Sequence, residues 1–321
     1  MPSYLRTVED VYARAAEAPD AKLCCTRSPV WTLPELHIPR IMLEMNYGCG
    51  STVDPRDLVE GDTVLYVGVG GGLEALQFAY CTRRKGGVIA VDPVGPMRDN
   101  AIANFAEAAQ LNAWFDPEFV RVLDGSALDL PVPSSSVSVV AQNCLFNVFM
   151  QDDLRRALGE VFRVLRAGGF FATSDPIAPG PLPEAFRADP IARARCLSGC
   201  QTIDEYVGAL AGAGFGRIDV RARFPYRVVT PHEFPVLPAP VLLESVEAVA
   251  YKVPLADDGP AVFIGRSAIY TGPEETFDDG QGHVLPRGIP VPISEAAAMR
   301  LAAFADLIVT PPTYQSRGGC C

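Results

Sequence analysis

Basic residues are in short supply in this chain. Lys and Arg total 27 against 38 Asp and Glu, a formal charge of −11. A nucleic-acid surface needs a basic footprint, and so does attraction to anionic lipid, so neither partner is expected. Histidine is scarcer still, with three in 321 residues. No apolar run nears the roughly 18 residues that span a bilayer. The start, MPSYLRTVEDVYARA, has no apolar signal-peptide core. Internal repeats and low-complexity tracts are missing too. The expectation is a cytoplasmic protein, monomeric, with no membrane partner. Charged residues make up 20% and hydrophobic residues 49%, enough to bury a sizeable core.

Cysteine, by contrast, is plentiful: Cys24, Cys25, Cys49, Cys81, Cys144, Cys196, Cys200, Cys320 and Cys321. The count is odd and no secretion signal accompanies it, which argues against a disulfide scaffold. The paired C-x-x-C spacing of a zinc site is absent. Thiols clustered in this way serve metals, metalloids or redox chemistry. Cys81 falls in the middle of a helical pattern and reads as a small buried hydrophobe.

Periodicity divides the chain into three parts. Residues 1–60 carry a helix over 3–18, cysteine-bearing loops, and a short helix over 40–47 ending at Gly48-Cys49-Gly50. Residues 61–225 alternate strands (63–68, 87–91, 119–123, 137–142, 169–174, 216–223) with helices (72–84, 100–111, 152–165, 203–213). That rhythm implies a doubly wound, mostly parallel α/β sheet. Within it, residues 176–201 form a Pro-rich excursion placed to cover one sheet edge. Residues 226–321 read as a smaller, mostly β unit in which 246–253 and 262–270 form an antiparallel pair.

The segment VLYVGVGGGLEALQFA sets Gly68, Gly70 and Gly72 between a strand and a helix. Glycines there let the backbone approach a ligand, and the helix start offers free N–H groups. The G-x-G-x-G form favours S-adenosylmethionine over a dinucleotide, and with it a Rossmann-like class I methyltransferase. Asp92 ends the next strand, where an acid accepts hydrogen bonds from ribose hydroxyls. Ser126 and Ala127 after the third strand, and Asn143 after the fourth, complete the expected cofactor contacts. Two positions depart from the usual pattern: Tyr66 stands where the strand end is normally acidic, and Ser126 where an acid usually follows the third strand.

Cys49 lies just before this core, Cys144 directly after its fourth strand, and Cys196 in the excursion. All three belong at the carboxyl edge where such sheets bind ligands. Tyr-Gly-Cys-Gly, Asn-Cys and Cys-Leu-x-Gly, in that order, resemble the arsenite methyltransferases, over most of residues 20–225. Cys24 and Cys25 match upstream cysteines of that family. The tail, with Gly-Pro-Glu-Glu-Thr-Phe-Asp-Asp-Gly at 272–280 and a terminal Cys-Cys, resembles a variant associated with arsenosugar formation. Arg195 and Cys200 depart from the pattern, which often has an acid and an apolar residue there.

The resemblance implies that Cys49, Cys144 and Cys196 bind As(III), with Cys24 or Cys25 assisting by exchange or disulfide chemistry. It further implies arsenite and methylated arsenicals as substrates, and a thiol reductant such as glutathione or thioredoxin. The chemistry agrees: trivalent arsenic is soft and thiolate is the soft protein ligand. Arsenic's own lone pair attacks the sulfonium methyl, so no general base is required. His37, His232 and His283 all lie outside residues 61–225. Two rivals stand beside this reading: a generic C- or O-methyltransferase, and a non-catalytic metalloid binder on the same fold. A four-residue prenylation signal needs cysteine at 318, which is Gly318; a doubly modified Cys-Cys terminus stays open beside the preferred reading of Cys320 and Cys321 as a metalloid-capturing tail. Cys200 is a redox partner or core.

Overall fold

Helix α1 (Ser3–Glu17) turns Tyr4, Val11 and Ala15 inward along one face. The short α2 (Arg40–Glu44) follows. Strand β1 (Val64–Val67) is buried at every position and leads through the glycine turn into α3 (Leu73–Thr82). Next come β2 (Val88–Asp92), α4 (Gly95–Leu111), β3 (Val120–Asp124), β4 (Val137–Asn143), α5 (Gln151–Val164) and β5 (Leu165–Ile177). The cover after β5 holds α6 (Glu184–Arg187) and α7 (Pro190–Ala194). Then α8 (Ile203–Gly212), β6 (Arg217–Val229), β7 (Val241–Tyr251) and β8 (Ala261–Phe263) complete the main sheet. The structure, a computed structural model, describes residues 3–20, 23, 31–256 and 259–314. Cys24, Cys25, Cys320 and Cys321, with the roles expected of them, lie outside the described residues.

The sheet order is β3-β2-β1-β4-β5-β7-β6-β8. β1 to β5 run parallel, β7 is antiparallel to both β5 and β6, and β8 pairs parallel with β6. This is the doubly wound fold of a class I methyltransferase. Because β1 lies between β2 and β4, the connections diverge there and open a crevice at the carboxyl edge. The strand period of two divides the core: Leu65, Val67 and Val140 face one cluster, and Val64, Tyr66 and Val139 the other.

Three expectations need correction. The helix expected over 100–111 begins at Gly95, because Pro96 in its first turn forgoes an N–H that has no partner there anyway. The domain boundary expected at 225 is crossed by β6, and β7 belongs to the main sheet. The expected pairing of 246–253 with 262–270 does not form. Val246 and Ala248 face one core and Val249 the other, so β7 needs cover on both faces. Residues 262–270 divide at Gly265, which has a φ of +78° and packs against the Thr313 carbonyl.

After that glycine come β9 (Ser267–Tyr270), β10 (Thr276–Asp278), β11 (Val284–Pro286), β12 (Val291–Pro292), α9 (Glu295–Leu301) and β13 (Leu307–Val309). They enclose a separate small core of Ala268, Tyr270, Ile293 and Leu301. The mostly β C-terminal unit therefore begins after β8.

Candidate active site

A cavity of about 430 Å³ lies at the carboxyl ends of β1, β2 and β4. Gly68, Gly70, Asp92, Ser126, Ala127 and Asn143 all line it. Gly72 does not: it lies behind the loop, where an added Cβ would sit 2.8 Å from the Phe105 ring. Its expected cofactor contact is thus replaced by a packing role at the start of α3. The Asp92 carboxylate accepts the Val94 N–H at 2.9 Å. Burial raises its pKa to about 6, opposed by backbone N–H groups of Val94, Gly70 and Val69.

Cys144 follows β4 and lies on the cavity wall. Its pKa is raised well above the usual thiol range by the neighbouring Cys196 and Cys49 and by burial. Of the three expected cysteines, Cys144 alone lines the cavity, with Cys196 and Cys49 as its neighbours. Cys49 and Cys196 lie behind it, at 0% and 1% exposure. Among the described residues, no three His, Cys, Asp or Glu side chains form a ready metal-ion ligand set. Both Cys144 (φ +59°) and Cys196 (φ +56°) have left-handed backbones.

The motif residues around these thiols have packing reasons. Asn143 clamps the Cys49 loop: its Oδ1 accepts the Cys49 N–H at 2.9 Å and its Nδ2 donates to the Gly50 carbonyl at 2.8 Å. A Cβ at Gly48 would lie 2.5 Å from the Asn143 side chain, and one at Gly50 2.8 Å from Glu247 Oε1. Glycine therefore flanks Cys49 on both sides because neighbours close in there. Cys49 Sγ lies 3.4 Å from Ser174 Oγ. In the cover, Cys196 donates to the Cys144 carbonyl. Buried Arg193 ties the cover to the β4–α5 loop by donating to the Phe149 carbonyl at 3.0 Å.

Cys200 adjoins the same cluster. Its thiol donates to the Cys196 carbonyl at 3.3 Å and accepts from Asn147 Nδ2 at 3.6 Å. Burial, then the charges of Cys196 and Asp175, raise its pKa well above the usual value. Asp175 is itself fully buried, hydrogen-bonded by Gln142, Tyr206, Thr173 and the Phe146 N–H. Burial outweighs those bonds and raises it to about 7.

Several site residues escape sequence reasoning. Tyr12 of α1 lines the cavity and stands edge-on to Tyr47, ring centroids 6.2 Å apart. Its hydroxyl is held protonated by burial and by the nearby charges of Cys196, Cys144 and Asp92. Glu74, in the first turn of α3, also lines the cavity. It accepts from the Thr52 N–H at 2.8 Å, Thr52 Oγ1 at 2.7 Å and the Tyr66 hydroxyl at 3.0 Å.

Residues 65–173 match a family model described as a methyltransferase domain. An arsenite methyltransferase of Halobacterium salinarum is 32% identical over 177 residues, 55% of this chain and 43% of that protein. One from Aquipseudomonas alcaligenes is 29% identical over 55% of this chain and 51% of its own length. The mouse arsenite methyltransferase is 29% identical over 48% of this chain and 40% of its own. The chain thus spans about half the length of the curated relatives it matches. A solved arsenic(III) S-adenosylmethionine methyltransferase from Chlamydomonas reinhardtii superposes with a TM-score of 0.62 at 22% identity, over 93% of this chain and 95% of that one. That likeness shows the fold.

Proposed function

We propose that this chain methylates trivalent arsenic, held by Cys49, Cys144 and Cys196, using S-adenosylmethionine. The observation that carries the reading is the place of Cys144 on the wall of the glycine-loop cavity, with the Cys196 thiol bonded to its carbonyl and the Cys49 N–H bonded to the adjacent Asn143. The cavity suits that cofactor on its own terms. Gly68 and Gly70 expose bare backbone to the cavity, Asp92 accepts hydroxyl donors, and among the described residues Glu9, Glu74 and Asp92 outnumber the lining cation Arg156. A ligand with net positive charge fits such a lining. When bound, it supplies an electrophilic methyl group on a sulfonium.

The chain's own residues bind and orient the arsenic. Arsenous acid condenses with a thiol as an As–S bond forms and an As–O bond breaks. The thiol proton leaves with the hydroxide as water. Protonated thiols are therefore the right resting form, which agrees with the raised Cys144. Three thiolates leave the arsenic lone pair as the nucleophile, so catalysis consists mainly of positioning. Methyl transfer takes arsenic from trivalent to pentavalent, and a two-electron thiol reductant of the glutathione or thioredoxin kind returns it. Among the described residues no helix is long and apolar enough to cross a membrane.

The test is to incubate the purified chain with arsenite, glutathione and methyl-labelled cofactor, and to separate the arsenic species. Labelled methylarsenicals with the wild type, and none with Cys144→Ser, support the reading. Equal labelling by both proteins would remove the thiols from the mechanism.

A further inference from the structure

Tyr66 and Glu74 share one corner of the cavity wall, and the strand-end acid usual to such loops is not there. Tyr66 takes that position on β1, and its hydroxyl points at a carboxylate supplied instead by the next helix, 3.0 Å away. Glu74 is 5% exposed, and its three hydrogen-bond donors are all neutral. A carboxylate offers about four acceptor sites. Thr52 N–H, Thr52 Oγ1 and Tyr66 fill three, which leaves one. Burying an anion among neutral partners is costly unless a cation completes the site.

We infer that the Glu74 carboxylate binds the α-ammonium group of the cofactor's amino-acid arm, in place of the strand-end acid that Tyr66 has displaced. The inference rests on the cofactor reading above. Asp92 and Glu74 then divide the ligand between them. Asp92, at the end of β2, takes the ribose hydroxyls, and Glu74, beyond the glycine loop, takes the ammonium. Tyr66 and Thr52 fix the Glu74 rotamer through both oxygens. A purely structural role is the competing account, because Thr52 follows closely on Cys49 and Glu74 helps to hold that loop.

Calorimetric binding of three ligands to the full chain separates the accounts. They are S-adenosylhomocysteine, its analogue lacking the α-amino group, and 5′-methylthioadenosine, which lacks the whole arm. The wild type is expected to prefer S-adenosylhomocysteine to the deaminated analogue by about tenfold, the scale of one charge-assisted hydrogen bond. Glu74→Gln should abolish that preference and bind methylthioadenosine within about twofold of the wild type, the scale of a change that removes no direct contact. Glu74→Asp, which keeps the charge, should retain part of the preference. The inference is overturned if the wild type does not distinguish the amino group, or if the preference survives in Glu74→Gln. Equal weakening of all three ligands by Glu74→Gln overturns it in favour of the structural role. Wild-type protein that binds none of the three overturns the cofactor reading, and this inference with it.

Discussion

Tyr12, on the first helix, stands beside Cys196, in the cover beyond the fifth strand, with its ring on the cavity wall. The contact closes α1 over the thiols, and α1 also packs against α7 and α4. Burial holds the tyrosine in its protonated form, so its hydroxyl offers a donor to the thiol cluster. A donor there stabilises sulfur once arsenic has replaced the thiol proton. Tyr12→Phe should therefore weaken arsenite binding by roughly tenfold with little change in melting temperature. Titration of arsenite into both proteins measures it, and an unchanged affinity would mean that the tyrosine only fills space.

The thiols should fail in a set order. Inorganic As(III) takes three thiolates, while its monomethyl form takes two. Cys144→Ser and Cys196→Ser should abolish every methylation step. Cys49→Ser should abolish methylation of arsenite and spare that of monomethylarsonous acid. Serine is hard and stays protonated, so it cannot replace thiolate. Each variant is assayed on the two substrates separately. Activity of Cys144→Ser on either one contradicts the ligand count.

Asp92 sets a pH dependence for the cofactor. Burial raises its pKa to about 6, and ribose hydroxyls donate to the charged form. Affinity for S-adenosylhomocysteine should therefore rise from pH 5 to pH 7. Asp92→Ala should lose about tenfold or more at pH 7 and flatten the profile, while arsenite binding stays as it was. A variant with wild-type cofactor affinity would take Asp92 out of the site.

Asp175 sets a pH dependence for stability, with the opposite slope to that of a paired carboxylate. Its folded pKa is raised to about 7, above an unfolded value of about 3.9. Between those values the native chain holds a proton that the unfolded chain releases. This contribution is complete below about pH 4 and is lost as the pH rises through about 7, on the order of a few kcal/mol in all. Denaturation of the wild type and Asp175→Asn at pH 5 and pH 8 should show a steeper decline in the wild type. Parallel curves would count against it.

The parallel strands are legible because they are short apolar runs bounded by turn residues, and Gly68 and Gly70 because a loop there must admit a ligand. Cys49 stands out between two glycines, Cys144 directly after a strand, and Cys196 in the excursion that covers the same edge of the sheet. β7 shows how such reading stops at the partner: an apolar run announces a strand, while its neighbours are chosen by which faces still need cover. Tyr12 is hidden for a related reason. On an amphipathic helix it looks like one more core residue, and only packing of α1 on α7 reveals its hydroxyl's destination. Glu74 does leave a trace, since the acid missing at Tyr66 reappears in the first turn of the following helix.

The backbone at Cys144 and Cys196 carries a last consequence. Few non-glycine residues accept a left-handed conformation, and each such position costs about 1–3 kcal/mol. Among the described non-glycine residues only Glu35, Arg83 and Ser135 share it. Selection for robustness alone would install glycine at both cysteine positions, shedding the strain and losing the sulfur. Under the proposed function, folding reserve and chemistry thus pull in opposite directions at the same two residues. Variants recovered by a screen for heat resistance should accumulate there as catalytically silent proteins.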